Sequence, residues 1–443
     1  MTSLPKPPSS APTGLFRSLR VYNFRVWWFG AIISNLGGWM QRIAQDWLVL
    51  TQLTHHDAKA VGWVTALQFL PQLLLFPLTG AAVDHLDRRK LLFVTQGAMG
   101  LCGLALGVLC VTGVVREWHV YVFAFLLGCA SAFDAPARQI FVADMVGEAD
   151  LPNAVALNST AFNSARLVGP ALSGLLIAAV GAGWSFMLNA MSFVAVLGSL
   201  ALMRPAELHV RARGARIRGG LFDGFAYVRR RPDLQAMMMM LFVFGAFGLN
   251  FAIFISTMAV SAFHVGPQGF GLLTSCMAVG SIAGALLAAR RERPNLAVIV
   301  VGAAIFGGAY LFGALSPSYL LFGAALAVVG LASQTVTTST TGLVQLSTAP
   351  AMRGRVMALL LTVSLGGLPF GAPLIGWIAA AFGPRAGVMV GAASGFVTAA
   401  VGLSYLIRHR GLRVHRAGRK LRLAMNEGEI GLHVAEPLAN PGA

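Results

Sequence analysis

Residues 156–181 read ALNSTAFNSARLVGPALSGLLIAAVG, and residues 358–383 read ALLLTVSLGGLPFGAPLIGWIAAAFG. At a shift of 202 residues the two stretches align without a gap. Identities fall on Ala156/Ala358, Leu157/Leu359, Thr160/Thr362, Gly169/Gly371, Leu172/Leu374, Gly174/Gly376, Ala178/Ala380, Ala179/Ala381 and Gly181/Gly383. The same shift lays GCAS at 128–131 on GLAS at 330–333. A displacement close to half of a 443-residue chain predicts one structural unit written twice. The shared positions are rich in Gly and Ala, which let helices approach closely in lipid.

The rest of the chain is as apolar as these stretches. It is 56% hydrophobic and 11% charged, with a mean hydropathy of +0.72, whereas a soluble domain carries about a quarter charged residues. Apolar runs near the length that crosses a ~30 Å hydrocarbon layer fall at 23–50, 60–83, 91–115, 119–143, 152–181, 184–203, 236–262, 267–289, 295–315, 318–345, 356–382 and 386–407. Short alternating segments of a β-barrel are not visible. The fold class predicted is an all-α polytopic membrane protein with twelve transmembrane helices. The repeat maps span 4 onto span 10 and span 5 onto span 11, so the halves are parallel six-helix repeats. The expected organisation is a leader over 1–20, an N-terminal bundle over 21–203, a linker over 204–233 with an amphipathic segment, a C-terminal bundle over 234–408 and a tail over 409–443. The leader lacks a cleavage site after a short apolar core, so the first run is read as a retained span.

The net charge of +17 invites a nucleic-acid reading, but the placement of the bases excludes it. Lys and Arg gather in the leader, in alternate loops and in the tail. By the positive-inside rule this puts both termini and the linker in the cytoplasm of a cell with the protein in its plasma (inner) membrane. Cys102, Cys110, Cys129 and Cys276 fall in spans without metal-ligand spacing. The chain carries no P-loop, dinucleotide fingerprint, nucleophile elbow or zinc-protease motif. No enzyme activity, metal or cofactor is expected; the expected partners are lipid, a small-molecule substrate and protons, with the chain a monomer.

Between spans 2 and 3 stands GAAVDHLDRRK (80–90). It resembles motif A of the major facilitator superfamily at Gly80, Asp84, Arg88 and Arg89, departing at His85, where a base is usual, and at Asp87, where glycine is usual. NFRVWWFG, GGWMQRIAQDWLVL, AFDAPARQ, NSTAFNSARLVGPALSG and MRGRVMAL are similar to the enterobactin-exporter and macrolide-efflux branch, the third drug:proton antiporter group. The resemblance covers roughly 15–410. It implies the major facilitator fold and export driven by the proton gradient through alternating access. Spans 1, 4, 7 and 10 would line the cavity, and spans 2, 5, 8 and 11 would join the halves. It implies that Asp84 and Arg88 help latch the cytoplasmic side. Gly169, Pro170 and Gly174 partly match the antiporter motif of span 5.

Charges inside spans are expensive, about 2.5–3.5 kcal/mol each on insertion scales. Five stand out: Arg42 and Asp46 in span 1, Asp134 and Arg138 in span 4, and Arg166 in span 5. Arg42/Asp46 and Asp134/Arg138 are i,i+4 pairs that can neutralise themselves on one helix face. In the second half Asp134 falls on Val336, Arg138 on Thr340 and Arg166 on Leu368, so the helices form without these charges. Asp134 and Arg166 are read either as coupling or substrate-binding residues or as a structural pair. As a pair, they would separate during rocking and let Asp134 collect a proton, with Pro136 kinking the helix beside it. Arg138 is read as a lower gate or an interface residue. Asn163, Gln334 and Asn250 are further polar cavity candidates. A Thr run such as the one near Gln334 is more often interhelical glue than cavity lining, and a stripe such as Phe244, Phe247, Phe251 and Phe254 more often faces lipid. The function expected is efflux of hydrophobic or amphipathic small molecules. A specialised siderophore or lysolipid exporter and a non-transporting sensor or scaffold are the alternatives.

Overall fold

A computed structural model describes residues 14, 16–209, 221–290, 294–410, 413–417 and 420–424, with the side chains of a few helical residues, Asp84 among them, and of the two strands outside that description. The leader up to residue 13, residues 210–220 of the linker and the tail beyond 424 lie outside the described residues.

The first half contains α1 (Tyr22–Trp47), which runs on as a π-type segment Leu48–Leu53, then α2 (Ala58–Leu74), α3 (Phe76–His85), α4 (Arg88–Val111), α5 (Glu117–Val180) and α6 (Ala182–Leu202). The second contains α7 (Leu221–Arg229), α8 (Pro232–Val243), α9 (Phe251–Thr257), α10 (Pro267–Ala289), α11 (Leu296–Leu315), α12 (Tyr319–Ser347), α13 (Pro350–Gly366), α14 (Leu368–Phe382) and α15 (Pro384–Arg410). Pro232, Pro267 and Pro350 each open a helix, where the missing N–H has no partner to lose. Among the described residues nine segments are long and apolar enough to cross a membrane. One of them, α5, is two helices, and α1 and α2 with α3 supply the remaining spans of twelve.

The turn inside α5 is at Gly147, with φ 71° and ψ −177°, a conformation that strains any residue with a Cβ. The first limb (117–146) therefore reverses into the second (148–180) at one residue. Backbone dihedrals stay helical through Pro136, and the break expected there lies at Gly147 instead. The repeat is visible in the backbone: Gly181 has φ 93° and ψ 164°, and its counterpart Gly383 has φ 92° and ψ 162°.

The chain forms two compact units, Met1–Leu48 with Leu74–Arg216 and Val49–Leu73 with Ile217–Ala443. Most of α2, expected in the N-terminal bundle, thus packs in the second unit. Glycines on both surfaces explain this: Gly62 of α2 backs onto the Ala372 carbonyl, and Gly376 of α14 onto the Ala58 carbonyl, so that an added Cβ would stand 2.6 and 2.7 Å from those oxygens. In the first unit α1 and α4 pack on α6 and α5 around Trp27, Phe141, Phe193 and Leu200.

In the second unit α10 meets α12 most closely. Gly280 lies against the Ala327 carbonyl and Gly330 against that of Met277. Replacing Gly280 by alanine is expected to destabilise this unit by about 1–3 kcal/mol through overpacking, read as a lower thermal midpoint of the purified protein. An unchanged midpoint would mean that the helices part easily there.

One feature departs from the all-α expectation. After α15, β1 (Arg413–Ala417) and β2 (Lys420–Ala424) pair antiparallel, Arg413 opposite Ala424 and Ala417 opposite Lys420. It lies in the polar tail, where the helical patterning of the spans has ended.

Candidate functional site

Asp134 is 4% exposed and sits on the first limb of α5 against α4. Gln96 Nε2 donates to its Oδ1 at 2.6 Å and Thr95 Oγ1 at 3.1 Å. Arg138 donates to Oδ2 from Nη2 at 2.7 Å and from Nε at 3.2 Å. Four donors on one carboxylate match its charge without help from water. Arg138 Nη1 also reaches Asn35 Oδ1 of α1 at 3.4 Å, and its guanidinium carbon stands 5.9 Å from the Trp27 ring centre. One polar cluster therefore ties α1, α4 and α5 together.

The expected Asp134–Arg166 pair is not formed. The carboxylate takes the arginine one turn along its own helix, because an i,i+4 partner needs no second helix to bring it into reach. Arg166, on the second limb, keeps Nε and Nη2 buried with no hydrogen-bond partner among the described residues. One turn before it, Phe162 meets Trp39 of α1 at 5.8 Å between ring centres. One turn after it, Gly169 backs onto the Trp39 side chain. Pro170 and Gly174 are buried beside it, and Ser173 donates to the Met40 carbonyl at 2.9 Å. Asn163 spends its amide on the Ser159 carbonyl at 2.8 Å.

The other i,i+4 pair behaves differently. No ion pair within 4 Å joins Arg42 to Asp46 among the described residues: Asp46 is buried, whereas Arg42 is exposed and lies 5.1 Å over the Trp39 ring. The cation takes the aromatic face in place of the carboxylate.

At the motif A loop, Arg88 Nη1 contacts both Asp144 oxygens, at 2.9 and 2.7 Å. Asp144 ends the first limb of α5 and its carbonyl accepts from His209 N at 2.7 Å. Sequence reading missed Asp144; an acid three residues before a Gly turn was the available signal. Arg89 donates to the carbonyls of Leu200 and Ala201 at 2.8 and 3.2 Å, closing the end of α6. Asp87, which departs from the motif, caps α4 by accepting from Arg89 N and Lys90 N. Gly80 is exposed, and a Cβ added there would meet nothing within 4 Å.

A family model described as transmembrane secretion effector matches residues 13–434, nearly the whole chain. The chain belongs to this family, a branch of the major facilitator superfamily. Among the proteins similar to it is the staphyloferrin A transporter of Staphylococcus aureus, 26% identical over 79% of this chain and 87% of that protein. The multidrug efflux pump Tap of Mycolicibacterium fortuitum is 26% identical, over 81% of this chain and 89% of the pump. The enterobactin exporter of Citrobacter koseri is 26% identical over 81% and 85%. The solved nucleoside transporter NupG superposes with a TM-score of 0.68 at 16% identity, covering 88% of this chain and all of that one. A bacterial homologue of the lysosomal transporter Spinster, inward-facing and unoccupied, gives 0.67 at 15%, over 86% and 95%. At those identities the likeness is one of fold.

In the second half of this transporter the polar candidates are engaged locally. Gln334 Nε2 donates to Thr338 Oγ1 at 3.0 Å. Asn250 marks the break before α9 and donates to the Ala246 carbonyl at 2.7 Å, its Oδ1 buried without a partner among the described residues. Phe244 and Phe254 do not form a lipid-facing stripe. They are fully buried, Phe244 tilted against Phe306 at 4.5 Å and Phe254 edge to face with Tyr310 at 5.2 Å between ring centres, and the π-type segment Phe244–Gly248 runs from the first toward the second in the chain.

Proposed function

We propose that this transmembrane secretion effector exports hydrophobic or amphipathic small molecules by alternating access, driven by the proton gradient, without a bound cofactor and without catalysing a reaction on its cargo. It works as a monomer in the plasma (inner) membrane with both termini cytoplasmic. The observation that carries the coupling is Asp134, a buried carboxylate inside a span that its counterpart Val336 lacks. Its four donors hold the negative charge. Withdrawal of Arg138 from Oδ2 would leave only Gln96 and Thr95, both on Oδ1, and a proton would then take the place of the guanidinium. The relatives divide between drugs and siderophores in their names, which supports a small-molecule cargo without choosing one.

Expression in an efflux-deficient host, with accumulation measured across macrolides, cationic dyes and siderophores, tests this reading. At least one compound is expected to accumulate less than in the empty host, and a protonophore is expected to restore it. Equal accumulation of every compound would end the export reading. Export untouched by the protonophore would end proton coupling alone.

A further inference from the structure

Two arginines of this chain meet a carboxylate through the same edge of the guanidinium. Arg138 turns Nε and Nη2 to Asp134, and Arg231 turns the same two atoms to Asp233 at 2.9 and 2.7 Å. These two N–H groups point the same way and form the fork that accepts a carboxylate. In Arg166 it is this fork, Nε with Nη2, that is buried with no acceptor among the described residues. A desolvated guanidinium without an acceptor is costly, and the fold has no need of it: the counterpart Leu368 occupies the equivalent place as a buried apolar residue.

The surroundings add a second chemistry. Phe162, one turn before Arg166, and Trp39 pair edge to face at 5.8 Å, and Arg42 lies on that Trp39 ring. Asn163, one residue further along from Phe162, donates its amide to its own helix at the Ser159 carbonyl. The nearby carboxylates of span 4 are already taken, Asp134 by Arg138 and Asp144 by Arg88.

We propose that Arg166 is the recognition point for a carboxylate on an aromatic or amphipathic cargo, held bidentately by Nε and Nη2, with the apolar body of the cargo toward Trp39 and Phe162. This rests on the export reading for its physiological meaning, but its test does not require transport.

The probes are 2-naphthoate and its neutral isostere 2-naphthamide, titrated calorimetrically into the purified full-length protein. The wild type is expected to bind the acid about tenfold or more tightly than the amide, the discrimination of a forked charge-assisted contact. Arg166→Gln is expected to lower affinity for the acid to that for the amide while leaving the amide unchanged. Arg166→Lys, a point charge without the fork, is expected to fall between, and it carries the comparison should Arg166→Gln not fold. Equal binding of acid and amide by the wild type, binding of neither, or an undiminished preference for the acid in both variants would overturn the proposal. Drug export that persists after such a result would show that the anion site had failed and the export reading had not.

Discussion

Asp134→Ala is expected to lower the stability of the folded chain by about 3–5 kcal/mol, the cost of leaving a buried ion pair with one member. Arg138 would keep only Asn35 at 3.4 Å and the Trp27 face, and Gln96 and Thr95 would lose a shared acceptor. Asp134→Asn is expected to lose less, because the amide oxygen still accepts from Gln96. The informative variant is the double replacement Asp134→Leu with Arg138→Leu, which removes both charges together. Its thermal midpoint should lie nearer the wild type than that of Asp134→Ala, since an apolar pair of similar volume replaces an ionic one at little net cost. Stability and coupling then separate. The folded double variant should lose the protonophore-sensitive part of efflux. Wild-type, protonophore-sensitive export from that variant would mean that Asp134 is a structural anion and that the proton travels elsewhere.

The second large effect belongs to Arg88 and Asp144. Their contact is bidentate at one end, with Asp144 7% and Arg88 22% exposed at the side chain. Replacing either by alanine is expected to cost about 2–4 kcal/mol, less than for a fully buried pair because the arginine keeps some contact with solvent. Asp144 also ends the limb that turns at Gly147, and its carbonyl holds His209 at the start of the linker. Asp144→Ala keeps that carbonyl, so proteolysis around residues 204–209 should rise to a similar degree in Asp144→Ala and Arg88→Ala, through the lost ion pair alone. The exchange Arg88→Asp with Asp144→Arg should restore part of the midpoint. Failure of the exchange to improve on both single variants would remove the ion pair as the cause.

Motif A was legible because its residues lie within a few positions of one another, and a short loop must place them together. Arg88 and Arg89 could be named from that spacing, but their acceptors could not. Asp144 and the carbonyls of Leu200 and Ala201 are brought in by helices distant in the sequence. Asp134 and Arg138 were legible as an i,i+4 pair for the same local reason. Gln96 and Thr95 were not, because nothing in span 3 distinguishes a polar residue that meets a neighbouring helix from one that caps its own backbone. The pairing of Asp134 with Arg166 was an inference across helices from depth alone. Depth does not fix which face of a helix a residue occupies.

What the amino-acid order determined by itself is everything that depends on local pattern: apolar length, the parallel repeat, the alternation of basic loops, and the glycines at 181 and 383 that turn each half alike. What only the tertiary structure decided is partnership. It drew Arg138 to Asp134, left the Arg166 fork without an acceptor among the described residues, and packed α2 with the second unit. A helix specifies its neighbours through faces that close to a few ångströms, and in lipid those faces are chosen by small residues and single polar contacts. No hydrophobic stripe marks them in the sequence.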